Sequence, residues 1–243
     1  MKKILMALMV LGAIGCDNKE KDPEVIAFEA IEAAGGPNYD SIEVEFTFRD
    51  KEYGAKYASG RFEYVRLFKD STGLIRDVLN NDGFYREING AKADIPDSMA
   101  SKYANSVNSV IYFAMLPKGL NDPAVNKAYL GKATIKGKEY HKIKVTFEQQ
   151  GGGTDYEDEF IYWIGTEDKR VDYLAYKYLT EGGGMRFREA YNERFVGGIR
   201  FVDYINYKPK AEITLEAIGE AFVNSDLEEL SRIELKGVRV NEL

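Results

Sequence analysis

Few residues in this 243-residue chain have side chains suited to catalysis. The one cysteine, Cys16, sits where an apolar run meets a charged one in LGAIGCDNKEKD. The one histidine, His141, cannot form a two-histidine metal site, so zinc in its usual ligand set is not expected. As a general base His141 would need a hydroxyl partner, and no serine stands in a G-x-S-x-G elbow. Alternation in YHKIKVTF puts it on the face of Ile143, Val145 and Phe147, and a half-buried histidine bonded to a neighbour is the simpler reading. The acidic run GGGTDYEDEF offers Asp155, Glu157, Asp158 and Glu159 to a hard cation, but it lacks the central glycine and distant glutamate of an EF-hand and reads as a solvated turn. The triplets Gly151 to Gly153 and Gly182 to Gly184 lack the Lys-Ser or Lys-Thr of a phosphate loop and read as hairpin entries.

Two features point toward binding rather than catalysis. The late strands are loaded with aromatics, among them Phe160, Tyr162, Trp163, Tyr173, Tyr176, Tyr178, Phe187, Tyr191, Phe201, Tyr204 and Tyr207. Aromatics favour strands in any case, so ordinary sheet packing explains them. The functional alternative is an apolar cavity with hydroxyls at its rim. Arg186 and Arg188 share a strand face, with Arg200 on the paired strand. They could seat a carboxylate or phosphate, or pair at the surface with Glu189 or Glu193. The candidate ligand-binding set is therefore Arg186, Arg188, Arg200, His141, Trp163 and Tyr204, with no catalytic residue, metal or cofactor expected.

The N-terminus reads as an address. Lys2 and Lys3 precede a short apolar stretch from Ile4 to Ile14, and small residues lead to a cut point. The stretch is shorter than the ~20 residues of a membrane span. Ala13-Ile14-Gly15-Cys16 resembles a bacterial lipobox, with residues 1–15 as signal peptide, Cys16 as the lipid attachment point and 16–22 as a charged tether. The alternative is an ordinary N-terminal helix with Cys16 a core thiol. A single acyl chain anchors weakly; lipoproteins of this type carry several, so the resemblance implies firm attachment to a membrane. The formal net charge is −7, and about −9 once Lys2 and Lys3 are removed. That balance argues against nucleic acid, which needs clustered Lys and Arg.

The rest, 23–243, reads as one domain without linkers or repeats. Asp22-Pro23-Glu24 starts a helix that Gly35-Gly36 stops, with Val25, Phe28 and Ile31 on one face. SIEVEFTFR alternates as a strand, and strand-like segments follow at about 60–68, 74–80 and 84–88, with turn signals at Asn81-Asp82-Gly83 and Asn89-Gly90. Asp97-Ser98 opens a helix with a stripe of Met99, Tyr103, Val107, Val110, Ile111 and Ala114, and Asp122-Pro123 repeats the start signal for a short second helix to about 129. Later come the strand YHKIKVTF, hairpins around Thr166 to Lys169 and Gly197-Gly198, an amphipathic piece near 215–223, and a last strand LSRIELKGV. The expected fold is α+β and mostly β. It is a single curled antiparallel sheet, a half-open barrel, with an N-terminal helix and an inserted helix pair covering its concave side.

The lipobox, the DPEVIAFEAIEAAGG helix, IEVEFTFR, the helix break near 97–129, YWIGTEDKRVDYLAY and VGGIRFVDYINYKP together resemble a class of flavobacterial outer-membrane lipoproteins of uncharacterised function. The order of elements also resembles the lipoprotein-carrier fold of the LolA and LolB type, which implies a half-open barrel that holds acyl chains. No ligand-contacting residue carries over by position. The first expectation is an envelope lipoprotein at the outer membrane, non-enzymatic, binding an apolar or amphiphilic molecule, lipid being one such, in a curled-sheet cavity. The alternatives are a scaffold or interaction lipoprotein with a filled core and, third, an envelope hydrolase.

Overall fold

A computed structural model describes residues 21–151 and 156–243. Cys16 and the signal-like segment lie outside the described residues, as does Asp155.

Helix α1 (Pro23–Ala34) begins as its sequence dictates. The Asp22 carboxylate accepts the Glu24 N–H at 2.9 Å, and proline takes the first helical position. The buried face differs from the expected one. Ile26, Ala27, Ala30 and Ala34 are buried, while Val25 and Phe28 are 45% and 54% exposed. Contact is carried by Ile26 and three alanines, whose small side chains let the helix approach the sheet closely; of the expected face only Ile31 packs on the core, and Val25 and Phe28 point away.

The first sheet is a meander of β1 (Ile42–Phe48), β2 (Lys51–Ala58), β3 (Arg61–Asp70), β4 (Gly73–Asn80), β5 (Gly83–Ile88) and β6 (Ala91–Lys92). The turn Asn89-Gly90 has φ of 51° and 82°, the doubly positive pair that fits a two-residue hairpin. Strand β2 has no counterpart among the expected segments, because Gly54, Ala55 and Ala58 dilute its alternation of Tyr53 and Tyr57. The second sheet runs β7 (Val125–Ile135), β8 (Lys138–Phe147), β9 (Glu159–Gly165), β10 (Val171–Tyr178), β11 (Gly184–Val196), β12 (Ile199–Pro209) and β13 (Leu227–Ile233), each antiparallel to the next.

The final strand, β14 (Leu235–Glu242), follows β13 after one residue but pairs with β1. The expected antiparallel curl is therefore present as two unclosed seven-stranded ladders joined by one continuous run of chain. Accumulated twist limits how many strands a single open ladder holds. At the switch, side chains replace ladder bonds: Asp203 accepts the Leu235 N–H at 2.9 Å, and Arg194 donates to Asp203 and to the Leu235 carbonyl.

Helix α2 (Asp97–Ala114) lies against the inner face of the first sheet and buries Val107, Ile111 and Ala114. The second expected inserted helix is absent. A short turn at Lys118–Asn121 leads directly into β7, and Asp122 is extended (φ −64°, ψ 145°), as the residue before a proline tends to be. A third helix, α3 (Ile218–Val223), covers the opposite face of the second sheet over Trp163, Tyr173 and Phe187. Strand β9 is thus covered on both sides and buried from Phe160 to Gly165.

α2 is pinned by a buried charge cluster. Asp77, fully inaccessible, accepts from Arg66 Nε and Nη2 (3.0 and 2.6 Å) and from Arg86 Nε and Nη2 (2.6 and 3.0 Å). Arg66 also donates to Ser106 Oγ at 2.6 Å, and Arg86 stacks 3.5 Å from the Tyr103 ring centre, both on α2. Removing one partner of such a cluster strands the other charges. Asp77→Ala is expected to lower stability by ~3–5 kcal/mol, read from the midpoint of urea denaturation.

Candidate ligand cavity

Part of the space between the inner faces of the two sheets is open, beside the core where Val44 and Phe46 pack with Ile111, Ile199 and Phe201. An open cavity of about 470 Å³ is bounded by Phe48 of the first sheet, by Val110, Tyr112, Phe113 and Ala114 of α2, and by Phe147, Phe160, Tyr176, Val202 and Tyr204 of the second sheet. Ile233 and Leu235 close it where the chain changes sheet. Asn108, Ser109, Thr180 and Arg186 supply polar groups to the lining. The aromatic wall is self-supporting: Phe160 stacks on Tyr176 at 5.5 Å, Phe113 lies 5.3 Å from Tyr176, and Tyr112 meets Phe160 edge-on at 5.9 Å.

Burial favours the neutral form of two phenols of this wall, Tyr112 and Tyr204. Tyr112 and Tyr162 share a hydrogen bond of 2.5 Å, and burial pushes both phenols well above their ordinary value. Burial pushes Tyr204 up to about 12, opposed by the Arg200 and Arg188 charges. The aromatic side of the lining suits the body of an apolar molecule, while Arg186, Arg188 and Asp158 place charges in the same lining.

The sequence candidates separate into two groups. Arg186, Arg188 and Tyr204 all line the cavity. Arg186 lies 5.3 Å from the Tyr178 ring centre and donates to the Met185 carbonyl. Arg188 is 7% exposed, stacks 3.7 Å from the Phe113 ring centre, and donates from Nη2 to the Tyr176 hydroxyl at 2.8 Å. Its Nε–H is buried with no partner, and among the described residues it forms no ion pair.

Arg200, Trp163 and His141 lie elsewhere. Arg200 is held by Glu193, by Asp172 at 3.1 Å and by the Val171 carbonyl at 2.9 Å, within a network that includes Arg170 and Lys138. Trp163 faces α3, where a Cβ added at Gly219 would come within 2.7 Å of its ring. His141, 5% exposed, has Nδ1 3.2 Å from the Tyr129 hydroxyl and Nε2 3.5 Å from Lys21 Nζ. Within the acidic run, Glu159 pairs with Lys144 and Asp158 lines the cavity.

Several lining residues fell outside the sequence candidates, Val110, Tyr112 and Phe113 above all. The signal was compositional: α2 is polar in its first half, but VIYFA at its end is apolar on every side, which implies burial on more than one face.

A family model described as a family of unknown function, DUF6503, matches residues 43–234. The chain belongs to that family. Its matched region takes in both sheets except β14 and the first residue of β1. No curated protein matches the chain. Among solved structures, a LolA superfamily protein from Nitrosomonas europaea is similar in fold, with TM-score 0.51 at 10% identity over 91% of this chain and 95% of that one. A DUF1329 family protein from Desulfovibrio piger aligns at TM-score 0.49 and 9% identity over 90% and 93%. A putative outer membrane lipoprotein-sorting protein domain from Vibrio parahaemolyticus aligns at 0.39 and 7% over 90% and 92%. At these identities the first likeness speaks for the fold alone, and the other two are too distant in shape to carry an argument.

His141 supplies a pH test of the second sheet. Burial, then the charges of Lys21, Lys132 and Lys169, hold its pKa below the ordinary 6.5, so the folded state favours the neutral ring. Its stabilising contribution is complete above the ordinary value and is lost as pH falls through that value toward the depressed one. Between about pH 7.5 and pH 5.5 the wild type should lose more stability than His141→Gln, measured by urea midpoints at each pH.

Proposed function

We propose that this protein is an envelope lipoprotein, anchored to a membrane through Cys16, that takes an apolar or amphiphilic ligand into the cavity between its two sheets. The observation that carries this reading is the cavity itself, open and walled by Phe113, Phe160, Tyr176 and Tyr204 beside cores packed by the chain's own side chains. The fold likeness to a LolA superfamily protein supports it. Affinity comes from burial of apolar ligand surface, roughly 25 cal/mol per Å². No chemical step is assigned to the site. Among the described residues no helix is long and apolar enough to cross a membrane, and the attachment in this reading is the lipid on Cys16.

A scaffold role would leave the cavity without a ligand. Fluorescent acyl probes added to delipidated protein decide between the two. Binding is expected for the wild type, and Val110→Trp, which fills the cavity from α2, is expected to weaken it about tenfold or more without lowering the unfolding midpoint. Absence of probe binding, together with no co-purifying lipid by mass spectrometry, would leave the scaffold reading. Mass spectrometry of the mature protein tests the anchor: Cys16 should be N-terminal and acylated.

A further inference from the structure

The Arg188 guanidinium is the most buried charge in the cavity lining, on its aromatic side. Transfer of a cation from water into protein is unfavourable unless it is paired and hydrogen-bonded. A guanidinium carries five N–H donors in a planar fork. Here one is used on the Tyr176 hydroxyl, the Phe113 ring covers a face, and the buried Nε–H is left without a partner. Arg200, on β12 six residues before Asn206, the register partner of Arg188, shows how this chain treats a structural arginine: it is surrounded by two carboxylates and a carbonyl. Among the described residues Arg188 has neither a carboxylate nor a carbonyl, although it is nearly as buried.

We propose that the cavity takes an amphiphile whose oxyanion head, a carboxylate or a phosphate, sits on Arg188 inside the cavity; the proposal rests on the ligand-binding reading above. The anion supplies acceptors to the guanidinium where it faces the cavity, and offsets a charge that has no carboxylate among the described residues. The planar fork suits either oxyanion, with paired charge-assisted bonds. The Phe113, Tyr176 and Tyr204 rings, whose centres lie 3.7, 5.0 and 6.0 Å from the guanidinium carbon, exclude water and strengthen the pairing. The polar end therefore lies against the wall of β11, and the apolar body extends along Phe160 and Val110. Arg186, two residues along the same strand face, gives an entering anion a second positive charge on its way to Arg188.

The test compares three probes with one twelve-carbon chain, dodecanoate, dodecyl phosphate and dodecanol, binding to delipidated wild type, Arg188→Met and Arg188→Lys by calorimetry. Wild type should prefer at least one oxyanion over the alcohol by about tenfold or more, and whichever binds more tightly identifies the head. Arg188→Met should abolish the preference while keeping dodecanol affinity, and Arg188→Lys should retain part of it. Without ligand, the Arg188→Met unfolding midpoint should equal or exceed that of the wild type, since an unpaired buried charge is gone. Equal binding of alcohol and oxyanions by the wild type would overturn the head-group assignment alone. Equal weakening of all three probes in Arg188→Met, or a lowered midpoint without ligand, would make Arg188 a structural strut and also overturn it. Binding of no probe would overturn both this proposal and the ligand-binding reading.

Discussion

The pairing of β14 with β1 is the constraint on which the rest depends. Ile42 lies opposite Glu242 and Phe48 opposite Leu235, so strands nearly two hundred residues apart share one ladder. Without that pairing β1 would be an unprotected edge carrying Val44 and Phe46, both core residues. The same run of chain is the only backbone shared between the ladders at that end, because β13 closes one and β14 closes the other. Asp203 makes the transfer possible by accepting the Leu235 N–H where no neighbouring strand does. The cavity exists because the ladders diverge from this seam, and Ile233 and Leu235 at the seam form its floor.

Local elements were readable where backbone chemistry is local. The Asp22 cap and Pro23 fixed the start of α1, and Asn89-Gly90 and Gly197-Gly198 marked hairpins because their conformations suit few other residues. What failed was anything that depended on a partner. Val25 and Phe28 look like a buried face by size, yet Ile26 and three alanines make the contact because the sheet comes close. Asp122-Pro123 carries the same start signal as Asp22-Pro23, but the chain beyond it is needed as the edge strand β7 and stays extended. The change of ladder at residue 234 leaves no mark, since LSRIELKGV reads as one strand whichever neighbour it finds.

The candidate site was half legible for a related reason. Alternation placed Arg186 and Arg188 on one face correctly, but nothing in the sequence tells Arg188 from Arg200. The difference lies in what folding brings to each: Glu193 and Asp172 to Arg200, and the rings of Phe113 and Tyr176 to Arg188. Trp163 fell on the far side because β9 is covered on both faces, which removes the polar alternation that would have told its two sides apart.

The seam also sets an order of events. Contacts near in sequence form early and those far apart form late, since closing a long loop is entropically unfavourable. The hairpins from β2 to β6 and from β7 to β12 are each local. The ladder between β1 and β14 must wait for both. The cavity is therefore complete only once Leu235–Glu242 has reached back to the first strand, because Leu235 is part of its lining.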